Sequence, residues 1–409
     1  MKRSIALILS ALLLGACASG SDKKPADGAA AAPSGNPYSL ASEGIPVGSI
    51  PAAVIHDTKR NKDIELSIEY PTRNGPYPVV IFSPEYGGSR SSYVGLSAFW
   101  ASHGIVVIKV SHADAGVLRE VLRKRAEERL SAAEAERTRG RGRGRGMQPA
   151  PTQQPGPFRP DPTEEWQVQT PADWKNRAAD ISFVIDSLPH LVEQYPEIKE
   201  RVDASKVGVG GHGYGAFTAL LIGGVKTFSN GVATSYADPR AKSIVAMSPP
   251  GPTPTRGLTE ESFKTLMVPA LFLTGTRDYG ATEAEDPAWR KKAYDLSPPP
   301  DQWFVSIAGA GHLAFTGQTT EFGMVTEPTY PNDMGSPRNP APGSPAYPQS
   351  QPMQQRPNAV PIFSRDLLLA GSVRTVSLAF FDAYLKNDAR GREFLNKMKS
   401  RGDLTVEMK

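Results

Sequence analysis

Asp278 and His312 are the two side chains whose order and setting in this sequence fit proton-transfer chemistry. Each follows an apolar run, Ala270 to Thr274 and Trp303 to Ile307. Each ends a Gly-containing loop, Gly275-Thr276-Arg277-Asp278 and Gly309-Ala310-Gly311-His312. A carboxylate that orients an imidazole, and a histidine that shuttles the proton, are two members of a nucleophile–acid–histidine triad. The nucleophile should come first, on a sharp turn between a strand and a helix. Lys206 to Gly224, KVGVGGHGYGAFTALLIGG, contains such a turn. Val207 and Val209 read as a short buried strand and Ala216 to Ile222 as an apolar helix start. Between them Gly211-His212-Gly213-Tyr214-Gly215 has the frame of G-x-S-x-G. Its centre is Gly213, which offers no atom to attack a substrate. No second G-x-S-x-G occurs in the chain. His212 is expected to point away from the centre and pack.

Acyl transfer also needs hydrogen-bond donors for the developing oxyanion. The backbone N–H of Tyr214, just after the turn centre, is expected to supply one. The loop Ser83-Pro84-Glu85-Tyr86-Gly87-Gly88-Ser89 is expected to supply the other from Tyr86. Glu85 is out of place there, because a carboxylate beside a developing oxyanion opposes it. No metal and no cofactor is expected.

The surrounding elements fit a scaffold that presents strand ends. Ile64, Leu66, Ile68 and Tyr70 alternate with polar residues, the period of a half-buried strand. Val79 to Phe82, Ile105 to Val110 and Ala241 to Met247 are continuous apolar runs, as in buried parallel strands. Ser92 to His103 reads as a helix. Trp174 to Leu188 places Ala178, Ile181, Val184, Ile185 and Leu188 on one helical face. Leu191 to Arg201 reads as a short helix, Trp303 to Ile307 as the last strand, and Gly371 to Leu385 as a closing helix. Alternating strands and helices predict an α/β domain with a mostly parallel central sheet and helices on both faces.

Two stretches interrupt that pattern. Residues 118–165 begin with a charged segment, Leu118 to Arg137, expected as a helix. The Arg-Gly run Arg139 to Arg145 and a Pro/Gln-rich stretch follow. Residues 317–362 are rich in Pro, Gln and Ser. Both read as disordered insertions. The chain carries +4 overall, and residues 118–145 alone hold ten Lys/Arg against five Asp/Glu, so the basic character belongs to the insertion. At the N-terminus a basic start and a short apolar run lead into Leu14-Gly15-Ala16-Cys17, a signal too short to span a membrane. Leu-Gly-Ala-Cys resembles a bacterial lipobox. It implies a signal peptide over 1–16, lipidation of Cys17 and a cell-envelope location; Ala18-Ser19 carries no Asp after Cys17, so by resemblance to known sorting patterns the outer membrane is expected rather than the inner. Behind an export signal the Arg137 to Arg145 stretch reads first as a solvated low-complexity insertion with no partner; if it has one, an anionic envelope polymer is expected and not nucleic acid. Residues 17–50 read as a flexible tether, 51–390 as one domain with its two insertions, and 391–409 as a C-terminal tail.

The stretches FSPEYGGSRSSY (82–93), ASHGIVVIKVSH (101–112), RAADISFVIDSL (177–188), VGVGGHGYGAFTALLIGG (207–224), PALFLTGTRD (269–278) and GAGHLAF (309–315) carry a family resemblance. The chain resembles an α/β-hydrolase of the dienelactone hydrolase-like group, similar to platelet-activating factor acetylhydrolase and bacterial polyester hydrolases. The resemblance implies hydrolysis of carboxylic esters through an acyl-enzyme, without a metal, and a small ester-like or lipid ligand. Ser83-Pro84-Glu85-Tyr86 resembles the Ser-Pro-Gly-aromatic oxyanion loop of that group, with Glu85 in place of Gly. Gly213 departs from the pattern at the nucleophile. Three readings stay open: a degenerate hydrolase kept for binding or scaffolding, a hydrolase whose Asp278–His312 dyad activates water, and a hydrolase with a lesion at 213. A Gly213→Ser change is expected to restore esterase activity that depends on His312.

Overall fold

The computed structural model describes Tyr38, residues 44–116, Glu127, Ser131, 170–280, Thr282, 284–316 and 362–409, the side chains of 362–368 and Ser400 excepted. The chain divides into Met1–Gly35 and Asn36–Lys409, and every described residue lies in the second unit. The signal peptide, Cys17, all of the helix expected over Leu118 to Arg137 but Glu127 and Ser131, the Arg-Gly run and almost all of both insertions lie outside the described residues.

The strands are β1 (Val47–Asp57), β2 (Lys62–Pro71), β3 (Tyr77–Ser83), β4 (Val106–Ser111), β5 (Val202–His212), the hairpin β6 (Thr227–Ser229) and β7 (Val232–Thr234), β8 (Ala241–Met247), β9 (Ala270–Arg277), β10 (Gln302–Gly311) and β11 (Leu404–Met408). Nine of them form one sheet in the order β1-β2-β4-β3-β5-β8-β9-β10-β11. From β4 to β10 every neighbour in that order is parallel, whereas β1, β2 and β11 join antiparallel at the edges. This is the α/β-hydrolase fold.

The sheet is buried on both faces because successive side chains alternate between them. Along β3, Val79 and Ile81 enter one core while Val80 and Phe82 enter the other. The main helices are α1 (Val94–Ser102), α2 (Pro171–Asp186), α3 (Leu188–Gln194), α4 (Tyr214–Gly223), α5 (Glu260–Phe263), α6 (Pro287–Asp295), α7 (Ile362–Leu385) and α8 (Ala389–Lys397). The first core takes Ile181 and Val184 of α2 and Phe217 and Leu220 of α4. The second takes Trp100 of α1 and Phe380 and Phe381 of α7. Fully burying one such side chain is worth about 1.5–3 kcal/mol. Helix α2 starts where it does because the Thr170 side chain accepts from the Asp173 N–H, the Asp173 carboxylate accepts from the Thr170 N–H, and Pro171 opens the first turn. Both orphan donors are thereby satisfied.

Four sequence expectations change. The tether boundary at 50 falls inside β1, which begins at Val47. Within the expected tether Tyr38 is buried; its hydroxyl donates to Asp382 at 3.0 Å and its ring packs on Phe394. Residues 391–409, expected as a tail, carry most of α8 and all of β11, so β10 is not the last strand. The helix expected over Leu191 to Arg201 is α3 followed by a single 3-10 turn at Pro196–Ile198. Pro196 removes an N–H and disfavours a helical residue before it, which ends α3.

Candidate active site

Strand β5 and helix α4 meet at Gly213, whose φ of 54° and ψ of −111° form the sharp turn. The flanking glycines are needed for close approach. A Cβ on Gly211 would lie 2.1 Å from the carbonyl oxygen of Gly215, and one on Gly215 would lie 1.9 Å from that of Ser83. The turn therefore presses against the loop after β3, where Ser83, Pro84 and Glu85 lie.

That loop is held by a buried cation. Arg177 of α2 donates from Nη1 to the carbonyl of Pro84 at 2.9 Å and from Nη2 to the carbonyl of Glu85 at 3.3 Å. Its charge is balanced by Asp114 at 2.7 Å, and its guanidinium lies 4.4 Å from the centre of the Tyr214 ring. Asp114 also accepts from the Gly87 N–H at 2.6 Å. Burial opposes ionisation of Asp114, but the Arg177 charge outweighs it and lowers its pKa.

Held in this way, the loop delivers the Glu85 carboxylate into the turn. Oε1 accepts from the N–H groups of Tyr86 at 2.7 Å and Tyr214 at 2.8 Å. The two donors singled out in the sequence thus converge on one atom, and that atom belongs to Glu85. The other carboxylate oxygen, Oε2, is 2.9 Å from His312 Nε2. A Cβ built on Gly213 would lie 1.3 Å from Oε2. The Glu85 carboxylate therefore fills the volume in which a side chain at 213 would begin.

Asp278 and His312 come together as the sequence predicts, at the ends of β9 and β10. His312 Nδ1 is 3.3 Å from Asp278 Oδ1. Ser248, just past β8, bridges the pair: its Oγ donates to Asp278 Oδ1 at 2.8 Å and lies 2.7 Å from His312 Nδ1. Thr274 donates to Asp278 Oδ2 at 2.9 Å. Arg290 of α6 lies 2.9 Å from Asp278 Oδ1 and donates to the carbonyls of Ser248 and Pro249. Ser248 faces the wrong imidazole nitrogen for a nucleophile and is itself fully buried. Its φ of 54° is an uncommon backbone conformation for serine.

Two carboxylates on one imidazole have an electrostatic consequence. Burial alone would lower the His312 pKa, but Asp278 and Glu85 raise it to about 9. For Glu85 burial acts upward and His312 outweighs it, so its pKa falls well below the carboxylate range. At neutral pH the centre is a carboxylate–imidazolium–carboxylate row with Arg290 behind it.

His212 departs from expectation. It is buried, and its Nδ1 lies 2.8 Å from the Tyr93 hydroxyl. Yet its ring centre is only 4.5 Å from that of His312, on the site and not away from it. Burial and the neighbouring His312 charge push its pKa down to about 3. A narrow cleft with about 50 Å³ of free space opens over the centre, lined by Glu85, Tyr214, Phe217, Arg256, Trp289 and His312 among others.

Sequence reasoning finds Asp278, His312, Gly213 and both backbone donors, and it misses Ser248, Arg290, Arg177 and Tyr93. Ser248 has a weak signal, its place at a strand end. Arg177 and Tyr93 reach Glu85 and His212 from 92 and 119 residues away, and Arg290, 12 residues past Asp278, carries no signal of its own.

A family model described as "Platelet-activating factor acetylhydrolase, isoform II" matches residues 54–138. The match runs from β1 through the loop that carries Glu85 and β4, and it stops short of Gly213, Asp278 and His312. No curated protein matches the chain. The chain has a hydrolase-type α/β scaffold, similar over that stretch to platelet-activating factor acetylhydrolase.

Proposed function

We propose that this chain is a degenerate carboxylic ester hydrolase that serves as an envelope binding or scaffold protein, anchored through lipidated Cys17. One observation carries the reading: the Glu85 carboxylate occupies both oxyanion donors and the space of the missing nucleophile. A tetrahedral intermediate needs those N–H groups where its oxyanion develops. Here they already hold a full negative charge.

The same contact weighs against water activation by the Asp278–His312 dyad. A general base needs a free nitrogen within reach of the water, and His312 Nε2 faces Glu85 Oε2 at 2.9 Å. A small ester-like or lipid ligand is the class the resemblance implies, and Trp289 and Arg256 line the cleft it would approach. Lipobox cleavage before Cys17 leaves the residue that is lipidated, the absence of Asp after Cys17 favours the outer membrane, and the Arg137 to Arg145 run offers a contact for anionic envelope polymer. No described helix is long and apolar enough to cross a membrane.

The test is turnover of short p-nitrophenyl esters by the purified full-length chain, with fluorophosphonate labelling in parallel. Neither turnover nor labelling is expected. Turnover without labelling would favour the water mechanism, and labelling would reveal another nucleophilic serine. For the anchor, Cys17→Ala should move the protein from the membrane fraction to the soluble one or stall processing; unchanged retention with normal processing would refute lipidation.

A further inference from the structure

We propose that Glu85, His212 and His312 form a binding site for one divalent transition-metal ion, with zinc the best match. The inference rests on the binding reading of this centre and gives it a ligand. It departs from the metal-free chemistry that the sequence and the family resemblance suggest.

The three residues each offer one ligand atom, and these atoms lie within 4.8 Å of one another. All three residues are deeply placed, and both imidazoles are buried. One observation independent of this clustering points to a ligand. His212 Nε2 is buried and has no hydrogen-bond partner. An unpaired buried polar atom costs about 1–3 kcal/mol, and a bound cation would satisfy it.

The outer contacts of the three residues fit the same purpose. Metal-bound histidines usually engage their second nitrogen with an oxygen, which fixes the ring and its tautomer. His312 Nδ1 is held by Asp278 and Ser248, and His212 Nδ1 by the Tyr93 hydroxyl. Each ring is therefore tied through Nδ1; His212 Nε2 has no partner, and His312 Nε2, now paired with Glu85 Oε2, binds a metal once its proton is released to solvent. Glu85 follows the same logic, since Oε1 is taken by two N–H groups while Oε2 faces His312.

Two imidazoles and one carboxylate are a ligand set for zinc, which binds nitrogen and oxygen at about 2.0–2.2 Å. Calcium and magnesium prefer all-oxygen sites. Tetrahedral binding at that length places ligand atoms about 3.3 Å apart. The Glu85–His312 pair is already at 2.9 Å, so His212 has the larger adjustment to make. Gly213 makes the arrangement possible, because a Cβ there would overlap Oε2. The cleft above Glu85 and His312 leaves a route for entry and a face for a fourth ligand.

The experiment uses the full-length chain without a histidine tag, stripped with chelator and titrated with zinc by calorimetry. Retained metal is counted by mass spectrometry after dialysis. One zinc per chain is expected. His212→Ala should weaken binding by more than about a hundredfold, and Tyr93→Phe, which removes the outer contacts to His212 Nδ1 and to the Glu85 N–H, by about 10–100-fold. X-ray absorption on the zinc-loaded native chain should show two imidazoles, a result that needs no variant to fold. Failure to retain zinc, affinity unchanged in a folded His212→Ala chain, or a first shell of oxygen alone or with sulfur would each overturn the site. Ester assays on the stripped preparation separate the two levels. No zinc with no ester turnover removes the metal site alone, whereas ester turnover by the stripped chain removes the binding reading beneath it.

Discussion

Two histidine–aspartate pairs flank the loop that carries Glu85, and only one of them opens on the cleft. On the buried side Ser83, His112 and Asp180 are spaced as a triad, with Ser83 Oγ 2.9 Å from His112 Nε2 and His112 Nδ1 2.9 Å from Asp180 Oδ2. On the open side Asp278 and His312 meet Glu85 and Gly213, with no serine at the turn. By distance alone the buried set is the better triad. It lacks what else catalysis requires. Ser83 is fully buried, and its hydroxyl also takes a hydrogen bond from Arg177 at 3.3 Å. The two N–H groups that could serve as an oxyanion hole point at Glu85. Access and electrostatic complementarity separate an active site from a structural brace, and in this molecule they have parted from the serine.

The brace explains why Glu85 stays where it is. Asp180 gathers Arg60 at 2.7 Å, Lys62 at 2.7 Å and His112, and His112 ties this charge cluster to Ser83 at the root of the loop. Removing one partner of a buried ion pair typically costs about 3–5 kcal/mol. Asp180→Asn is therefore expected to destabilise the fold by that amount in urea unfolding at pH 7. Burial opposes ionisation of Asp180, but the His112 hydrogen bond and the Lys62 charge outweigh it and hold its pKa at about 2. A depressed carboxylate pKa gives stability that is complete above about pH 4 and lost as the pH falls toward 2. The gap between native chain and variant should narrow over that window; a gap independent of pH would mean that packing, not charge, holds the brace.

A smaller effect should follow from Ser83→Ala. It removes a hydrogen bond worth about 1 kcal/mol and leaves fluorophosphonate reactivity at background. Loss of a labelled band in this variant would turn the brace into the true active site and invert the comparison.

Much of the scaffold is legible in the sequence because its signals are local. The alternation of Ile64, Leu66 and Ile68 and the runs at Val79 and Ala241 report faces of a sheet directly. The glycines at 211, 213 and 215 mark the turn, and Asp278 and His312 stand out because they end strands in the right order. Edge elements are harder to read. In β1 the pairing register shifts between Ile50 and Ala53, beside Pro51, so the alternation that would mark a strand is broken. In β11 only Leu404 is buried. Glu85 shows the deeper limit. Its residue type flags a conflict with an oxyanion, but the sequence does not reveal that the side chain folds back onto both donors. That depends on Arg177, Tyr214 and His312, which lie 92, 129 and 227 residues away. Ser83, His112 and Asp180 likewise meet only through the fold.

The structure also revises the simplest repair. Gly213→Ser places a Cβ on the Glu85 carboxylate and adds backbone strain of about 1–3 kcal/mol at a positive φ. Alone it is expected to lower the melting temperature and to stay silent toward esters. The most direct test of the central claim, that Glu85 closes an otherwise assembled hydrolase centre, is the ester turnover of Gly213→Ser combined with Glu85→Gly. With both donors released and a serine beside His312, p-nitrophenyl ester hydrolysis and fluorophosphonate labelling should rise at least about tenfold over the single Ser variant, about 1.4 kcal/mol of transition-state stabilisation. Both should vanish with His312→Ala. A folded double variant that stays silent, or a Gly213→Ser chain equally active with Glu85 in place, would contradict the claim.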